Sequence, residues 1–170
     1  MNRRVAIIGG GLAGAEAAWQ LAILGIPSSL FEMRPMVKTA AHKTSHLAEL
    51  VCSNSFRSDD DEYNAVGQLH WEMRKSKGLI ISVGDKTRIA AGSAMAVDRE
   101  KFSSKVTEMI KNNPLIEVFN QEVCDLNLLD FDEIIIATGP LTSRNLLTSI
   151  GKLTDSENLF FYDAMAPTVY

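Results

Sequence analysis

The stretch from Val5 to Gly14 constrains this chain more than any other: Val-Ala-Ile-Ile-Gly-Gly-Gly-Leu-Ala-Gly. Four apolar residues bounded by glycine read as a buried parallel strand. Gly9, Gly11 and Gly14 stand at G-x-G-x-x-G spacing, and a helical pattern follows at once. In that pattern the first glycine makes a tight turn and the second lets the backbone approach a pyrophosphate. The third lets the helix pack closely on the strand. The free N–H groups and the dipole of the helix N-terminus then hold the phosphates. Gly9, Gly10, Gly11, Leu12, Ala13 and Gly14 together form the expected dinucleotide cradle.

The next eighteen residues complete the unit. Ala15 to Leu24 is rich in alanine and leucine, both strong helix formers. Gly25 suits the helix C-terminus, and Pro27 blocks continuation. Ser28 to Glu32 reads as a second strand, which makes residues 4–32 a βαβ unit. Glu32, at the end of that strand, is placed to accept hydrogen bonds from ribose hydroxyls. FAD and NAD both carry an ADP half that suits such a unit, so the motif alone leaves the choice between them open.

Composition bounds the rest. A chain of 170 residues can bury a sizeable core in one domain. Apolar residues make up 46% and charged residues 22%, as in ordinary globular proteins. The longest apolar stretches are strand-sized, so no membrane span is expected. The first apolar run passes straight into the glycine motif, unlike a signal peptide. Cys52 and Cys124 do not make a disulfide framework, and a reducing cytoplasmic compartment follows. No metal site is expected. A net charge of −4 gives no whole-chain electrostatic reason to expect DNA or RNA, so an RNA partner needs a local basic patch or more protein.

The α/β pattern continues. Met33 to Ser45, with Arg34, Lys38, His42 and Lys43, lacks periodicity and reads as an exposed basic loop beside the ribose end. Val66, Leu69, His70 and Met73 give Asp60 to Lys77 helical spacing. Ile80 to Val83 and Thr87 to Val97 read as short strands. Asp98 is a good N-cap for a helix carrying Phe102, Val106, Met109 and Ile110 on one face and ended by Asn112-Asn113-Pro114. Ile116–Phe119 and Glu122–Leu126 read as two strands able to pair, with Cys124 as a core residue of the second.

Asp132 to Pro140 reads as a buried parallel strand running into a Thr138-Gly139 turn. Ligands of open α/β sheets bind at the carboxyl ends of the strands, so this turn belongs at the same edge as Gly9 to Gly14. An N-terminal glycine fingerprint followed by a late hydrophobic-Ala-Thr-Gly strand resembles the flavoproteins with two dinucleotide-binding domains. That resemblance implies FAD, with its ADP half on the first motif. Cys52 opens a run of small polar residues with Arg57 close behind. Such surroundings favour a thiolate, whereas Val51 beside it fits an ordinary small core residue.

Several blocks together resemble one family, the folate- and FAD-dependent tRNA (uracil-5-)-methyltransferases (TrmFO or Gid). They are Gly9–Ala18, Glu-Met-Arg-Pro at Glu32–Pro35, Leu-Ala-Glu-Leu-Val-Cys-Ser-Asn-Ser at Leu47–Ser55, Ala94–Arg99, Ile136–Ser143 and Tyr162–Pro167. The Cys-Ser-Asn-Ser block discriminates this family from the related tRNA-modifying flavoproteins called MnmG or GidA. The resemblance implies a bacterial, cytoplasmic enzyme that moves a one-carbon unit from 5,10-methylenetetrahydrofolate to C5 of a uridine in the tRNA T-loop. It implies FAD reduced by NAD(P)H, with Gly9–Gly14, Glu32, Arg34, Thr138 and Gly139 at the cofactor. It implies Cys52 as the catalytic cysteine near the flavin, since C5 of uracil is a poor nucleophile until a thiolate adds at C6. Family chains are considerably longer, so residues 1–170 are expected to be the N-terminal portion of an FAD-binding domain, short of a second cysteine and of the RNA surface.

Overall fold

The computed structural model describes residues 3–154; the Tyr162–Pro167 block lies outside them. A four-stranded parallel sheet organises the chain, with the strand at Val5–Ile8 between those at Ser28–Glu32 and Glu133–Ile136 and the strand at Ile116–Asn120 outside Ser28–Glu32. Its strands are β1 (Val5–Ile8), β2 (Ser28–Glu32), β6 (Ile116–Asn120) and β7 (Glu133–Ile136). β1 is flanked on both sides: Val5 faces Ser28 and Glu133, and Ile8 faces Phe31 and Ile136. All four of its residues are buried, which is why they are uniformly apolar.

Side-chain alternation along β1 builds two cores. Val5 and Ile7 join Leu30, Ala15, Ala18, Leu79, Val83, Phe102 and Val106 on one face. Ala6 and Ile8 join Phe31, Val123, Leu126 and Leu146 on the other. Each fully buried Ile or Leu contributes about 1.5–3 kcal/mol. Helix α1 (Leu12–Ile23) lies on the first face. Its end is a Schellman cap: Gly25 (φ +74°) donates its N–H to Ala22 O at 3.0 Å, and Ile26 donates to Leu21 O at 2.9 Å. The glycine and proline signals there were legible for that reason.

Around this unit lie a short antiparallel sheet and the remaining helices. The sheet pairs β3 (Ser55–Ser58), β5 (Ala94–Val97) and β4 (Arg88–Ile89), in the order β3-β5-β4. Helix α2 spans Ala65–Lys75 and starts at an Asn64 cap, whose side chain accepts from Val66 N–H. The expected helix is thus shorter than 60–77. Asp60 closes a turn before it by accepting from the Glu62 and Tyr63 amides, both at 3.0 Å. Leu69 of its expected apolar face is exposed. Helix α4 (Arg99–Lys111) has Asp98 as its N-cap, accepting from Lys101 N–H, and it buries Phe102, Val106 and Ile110.

Three expectations fail here. Ile80–Val83 is not a strand but part of helix α3 (Leu79–Lys86). A short apolar run does not distinguish the two, and a distant group decides. The Glu16 carboxylate of α1 accepts from the Leu79 amide at 3.1 Å and the Ile80 amide at 2.8 Å, capping the helix start. Glu122–Leu126 is not a strand either. β6 pairs with β2 instead, and the chain turns into a 3₁₀ turn at Leu126–Leu128 capped by Asp125. Val123 and Leu126 remain buried, but Cys124 is exposed, so it is no core residue. Finally, β7 is an edge strand of the described sheet; Ile134 and Ile135 are half-buried and Ile136 is exposed. After β7 a 3₁₀ turn, Gly139–Leu141, leads to α5 (Arg144–Thr154).

Candidate functional site

The carboxyl ends of β1, β2 and β7 open onto one cavity of about 280 Å³. Gly9 through Ala13 line it from one side, Thr138 and Gly139 from another, and Glu32 and Arg34 from a third. The two glycine-marked turns meet directly. Gly9 sits at φ +103°, and a Cβ there would stand 2.8 Å from Ala137 O and 2.9 Å from Thr138 Cα. A Cβ on Gly14 would overlap the carbonyl oxygen of Gly9, so helix and strand approach more closely than a side chain allows. Gly11 lines the cavity, and a Cβ on it meets nothing within 4 Å. Helix α1 has no side-chain cap and no acid in its first turn, so its leading amides lie open at the cavity wall. An apolar wall, open amides and a helix dipole fit the diphosphate of a dinucleotide.

The end of the cavity at Glu32 and Arg34 is already crowded. Glu32 is buried, and its Oε2 accepts from the Gly10 amide at 2.9 Å. Arg34 is only 1% exposed, which contradicts the expectation of an exposed basic loop at this position. Its guanidinium grips Glu32 through Nε at 2.8 Å and a terminal nitrogen at 3.0 Å, and reaches Glu49 at 3.1 Å. Two carboxylates flanking one guanidinium make its burial tolerable. Burial works to raise the Glu32 carboxyl. Hydrogen bonds from the Arg34 side chain and backbone, and from the Gly10 amide, outweigh it and hold the group below the ordinary carboxylate range.

Sequence reasoning missed Glu49 and gave His42 only a place in the loop beside the ribose end; both line the cavity. Glu49 accepts from the Lys43 amide at 2.9 Å and from the Thr44 amide and hydroxyl at 3.1 and 3.0 Å. Its signal was its place in the Leu47–Ser55 block, three residues before Cys52. Burial, and then the nearby Arg34 charge, push His42 below the usual histidine value. The rest of Met33–Ser45 is largely exposed, including Lys38 and Lys43, as the sequence implied.

Cys52 is exposed, not the small core residue its neighbour Val51 made plausible. Val51 lines the cavity and Cys52 follows just outside it. The chain on both sides is anchored. Upstream, Ala48 is fully buried in the left-handed region (φ 52°) and donates its N–H to Gly10 O at 2.8 Å. Downstream, Asn54 and Val97 exchange hydrogen bonds of 3.1 and 2.9 Å. Arg99 donates to the Cys52 carbonyl at 3.3 Å. Among the described residues no His/Cys/Asp/Glu cluster suits a metal, and no helix is long and apolar enough to cross a membrane.

Comparison with known proteins gives a consistent picture. The family model for glucose inhibited division protein A matches residues 4–170. The chain is similar to the methylenetetrahydrofolate–tRNA-(uracil-5-)-methyltransferase TrmFO of Cereibacter sphaeroides, 53% identical over 100% of this chain and 38% of that protein. Proteins of the same name from Mesorhizobium japonicum and Bartonella bacilliformis are 56% and 55% identical, over 96% and 100% of this chain. The chain spans 35–38% of the length of these relatives. Aquifex aeolicus GidA shares the parallel α/β fold, with a TM-score of 0.62 at 17% identity, covering 82% of this chain and 25% of that one.

Proposed function

The chain belongs to the family of glucose inhibited division protein A, and on that premise we propose that it carries the FAD-binding part of a methylenetetrahydrofolate-dependent tRNA (uracil-5-)-methyltransferase. The observation that carries this reading is the cavity in which the Gly9–Gly14 loop and the Thr138–Gly139 turn meet over the open amides of α1. The identity of 53–56% to relatives of that name selects the reaction.

In this reading the amide of Gly11, with the first-turn amides of Leu12, Ala13 and Gly14, binds the diphosphate of FAD, while Gly9 and Gly10, whose amides are held by Phe31 O and Glu32, shape the turn that lets it approach. Glu32, steered by Arg34, takes the ribose. Thr138 and Gly139 close the cavity from β7. When bound, the flavin supplies reducing equivalents, drawn from NAD(P)H, that convert a methylene carbon to a methyl. Cys52 stands at the rim as the nucleophile toward C6 of uracil, an addition that makes C5 nucleophilic. Its exposure leaves it reachable by a large substrate such as tRNA. The protein works in the cytoplasm, where its thiol stays reduced.

The test is isotope transfer with the full natural protein. Labelled methylenetetrahydrofolate should give 5-methyluridine in tRNA only when FAD and NAD(P)H are present. Label arriving from S-adenosylmethionine without folate would sink the assignment. Oxidation of NAD(P)H at a rate indifferent to tRNA and folate would point to a general oxidoreductase instead.

A further inference from the structure

Glu32, Arg34 and Glu49 form an ion triad, buried at Glu32 and Arg34, that joins two segments with separate roles. A carboxylate offers about four lone-pair directions, and those of Glu32 are all taken. Oε1 accepts from the Arg34 amide at 3.0 Å and from Arg34 Nε at 2.8 Å. Oε2 accepts from the Gly10 amide at 2.9 Å and from a terminal nitrogen of Arg34 at 3.0 Å. A ribose hydroxyl that donates to Glu32 must displace one of these. Gly10 is buried and its amide has no second acceptor among the described residues, so releasing it would orphan a buried donor. The bond free to exchange is the terminal one of Arg34, because a second carboxylate is at hand in Glu49.

Glu49 does not stand alone. Its neighbour Ala48 is bonded to the carbonyl of Gly10, and Val51 and Cys52 follow two and three residues after Glu49. The glycine loop, the ribose carboxylate and the cysteine-bearing segment are therefore one connected unit.

Given a dinucleotide in the cavity, as in the function proposed for this site, we propose that Arg34 and Glu49 are positioning residues that make occupation of the ribose site and placement of Cys52 a single event. An ADP-type ligand that engages Glu32 shifts Arg34 toward Glu49, and the segment from Glu49 to Cys52, held at Ala48 by its bond to Gly10 O, moves with it. Neither residue touches the reacting atoms; both act through Glu32 and through the backbone that carries Cys52.

ADP is the probe, because it fills the phosphate and ribose ends without reaching the flavin end. Calorimetry on the full natural protein, freed of flavin, measures ADP binding. The rate of alkylation by N-ethylmaleimide, resolved by peptide mass spectrometry, reads Cys52 with Cys124 as internal control. Saturating ADP should change the Cys52 rate by about fivefold or more, the lower range of coupling between sites, and leave Cys124 unchanged. Glu49→Gln, shown to be folded by circular dichroism, should bind ADP more weakly and lose the response, and Glu49→Asp should restore part of it. Wild-type protein that binds ADP with no change at Cys52 overturns the proposal without any variant, as does a Glu49→Gln protein that still responds. Wild-type protein that binds neither ADP nor FAD overturns the dinucleotide reading itself.

Discussion

Gly11 and Gly14 are three residues apart in one motif, yet substitution at each should fail in a different way. At Gly11 the backbone is extended (φ −75°, ψ −166°), which any residue adopts, and a Cβ there meets no protein atom within 4 Å. Gly11→Val loses about 1 kcal/mol as a poorer N-cap. It regains about 0.4–1 kcal/mol from a less flexible unfolded chain. The net effect on stability is near zero, and the branched side chain is added at a residue that lines the cavity proposed for the diphosphate. At Gly14 a single methyl overlaps the Gly9 carbonyl oxygen, and the obstacle is backbone, not a side chain that can swing aside. Gly14→Ala gains about 1 kcal/mol in helix propensity, but overpacking takes back up to ~3 kcal/mol or more. At about 2–4 °C per kcal/mol for a domain of this size, Gly14→Ala should lower Tm by several degrees. Gly11→Val should hold Tm within a few degrees while abolishing FAD binding. Differential scanning fluorimetry and isothermal titration calorimetry on the full natural protein read both quantities. A Gly11→Val protein that binds FAD normally, or that melts as early as Gly14→Ala, would refute the division of roles.

Removing the guanidinium as Arg34→Met leaves the buried Glu32 carboxylate with two backbone amides, those of Gly10 and residue 34, and no counter-charge, at a cost of about 3–5 kcal/mol in urea denaturation. Adding Glu32→Gln to that variant should recover much of the loss. Glu16→Ala should uncap α3 for about 1 kcal/mol, read as faster hydrogen exchange of the Leu79 and Ile80 amides. Glu32 and Glu49 are both held below the ordinary carboxylate value, so the stability they lend is present above it and is lost as pH falls through their depressed values. His42, also depressed, resists protonation, so its cost begins as pH falls through 6.5 and acts in the same direction. Thermal melts should decline on the acid side, and a Tm that rises on acidification would contradict the ion triad. Cys52→Ala, at an exposed position, should change stability by less than about 0.5 kcal/mol. Methylation should nonetheless fall by ~10²-fold or more, whereas full activity would leave Cys52 without a chemical role.

The sequence made the first βαβ unit legible because each signal there acts locally. Gly9 needs its positive φ, Gly25 forms a Schellman cap with its own helix, and Glu32 ends the strand it belongs to. Asp98 was legible for the same reason, since an N-cap bonds an amide three residues away. The readings that failed depended on distant partners. Leu79–Lys86 is helical because Glu16, 63 residues away, caps it. Arg34 is buried between Glu32, two residues away, and Glu49, which meets it from another loop, and no local pattern announces the second pairing. Glu122–Leu126 lost its strand because β6 had already found β2, a choice made by sheet order and not by propensity. At the site, the two turns that meet were visible as glycine signals. The carboxylate that ties Arg34 to the cysteine-bearing segment was not, because a glutamate in a loop has no spacing to read.

The central claim is that FAD sits with its ADP half between the Gly9–Gly14 loop and the Thr138–Gly139 turn. Hydrogen–deuterium exchange of the full natural protein with and without FAD tests it most directly, peptide by peptide. The account predicts that FAD slows exchange in peptides covering 9–14 and 137–141, with ADP alone reproducing the protection at 9–14. Tight FAD binding that leaves both peptides unchanged and protects only other regions would contradict it.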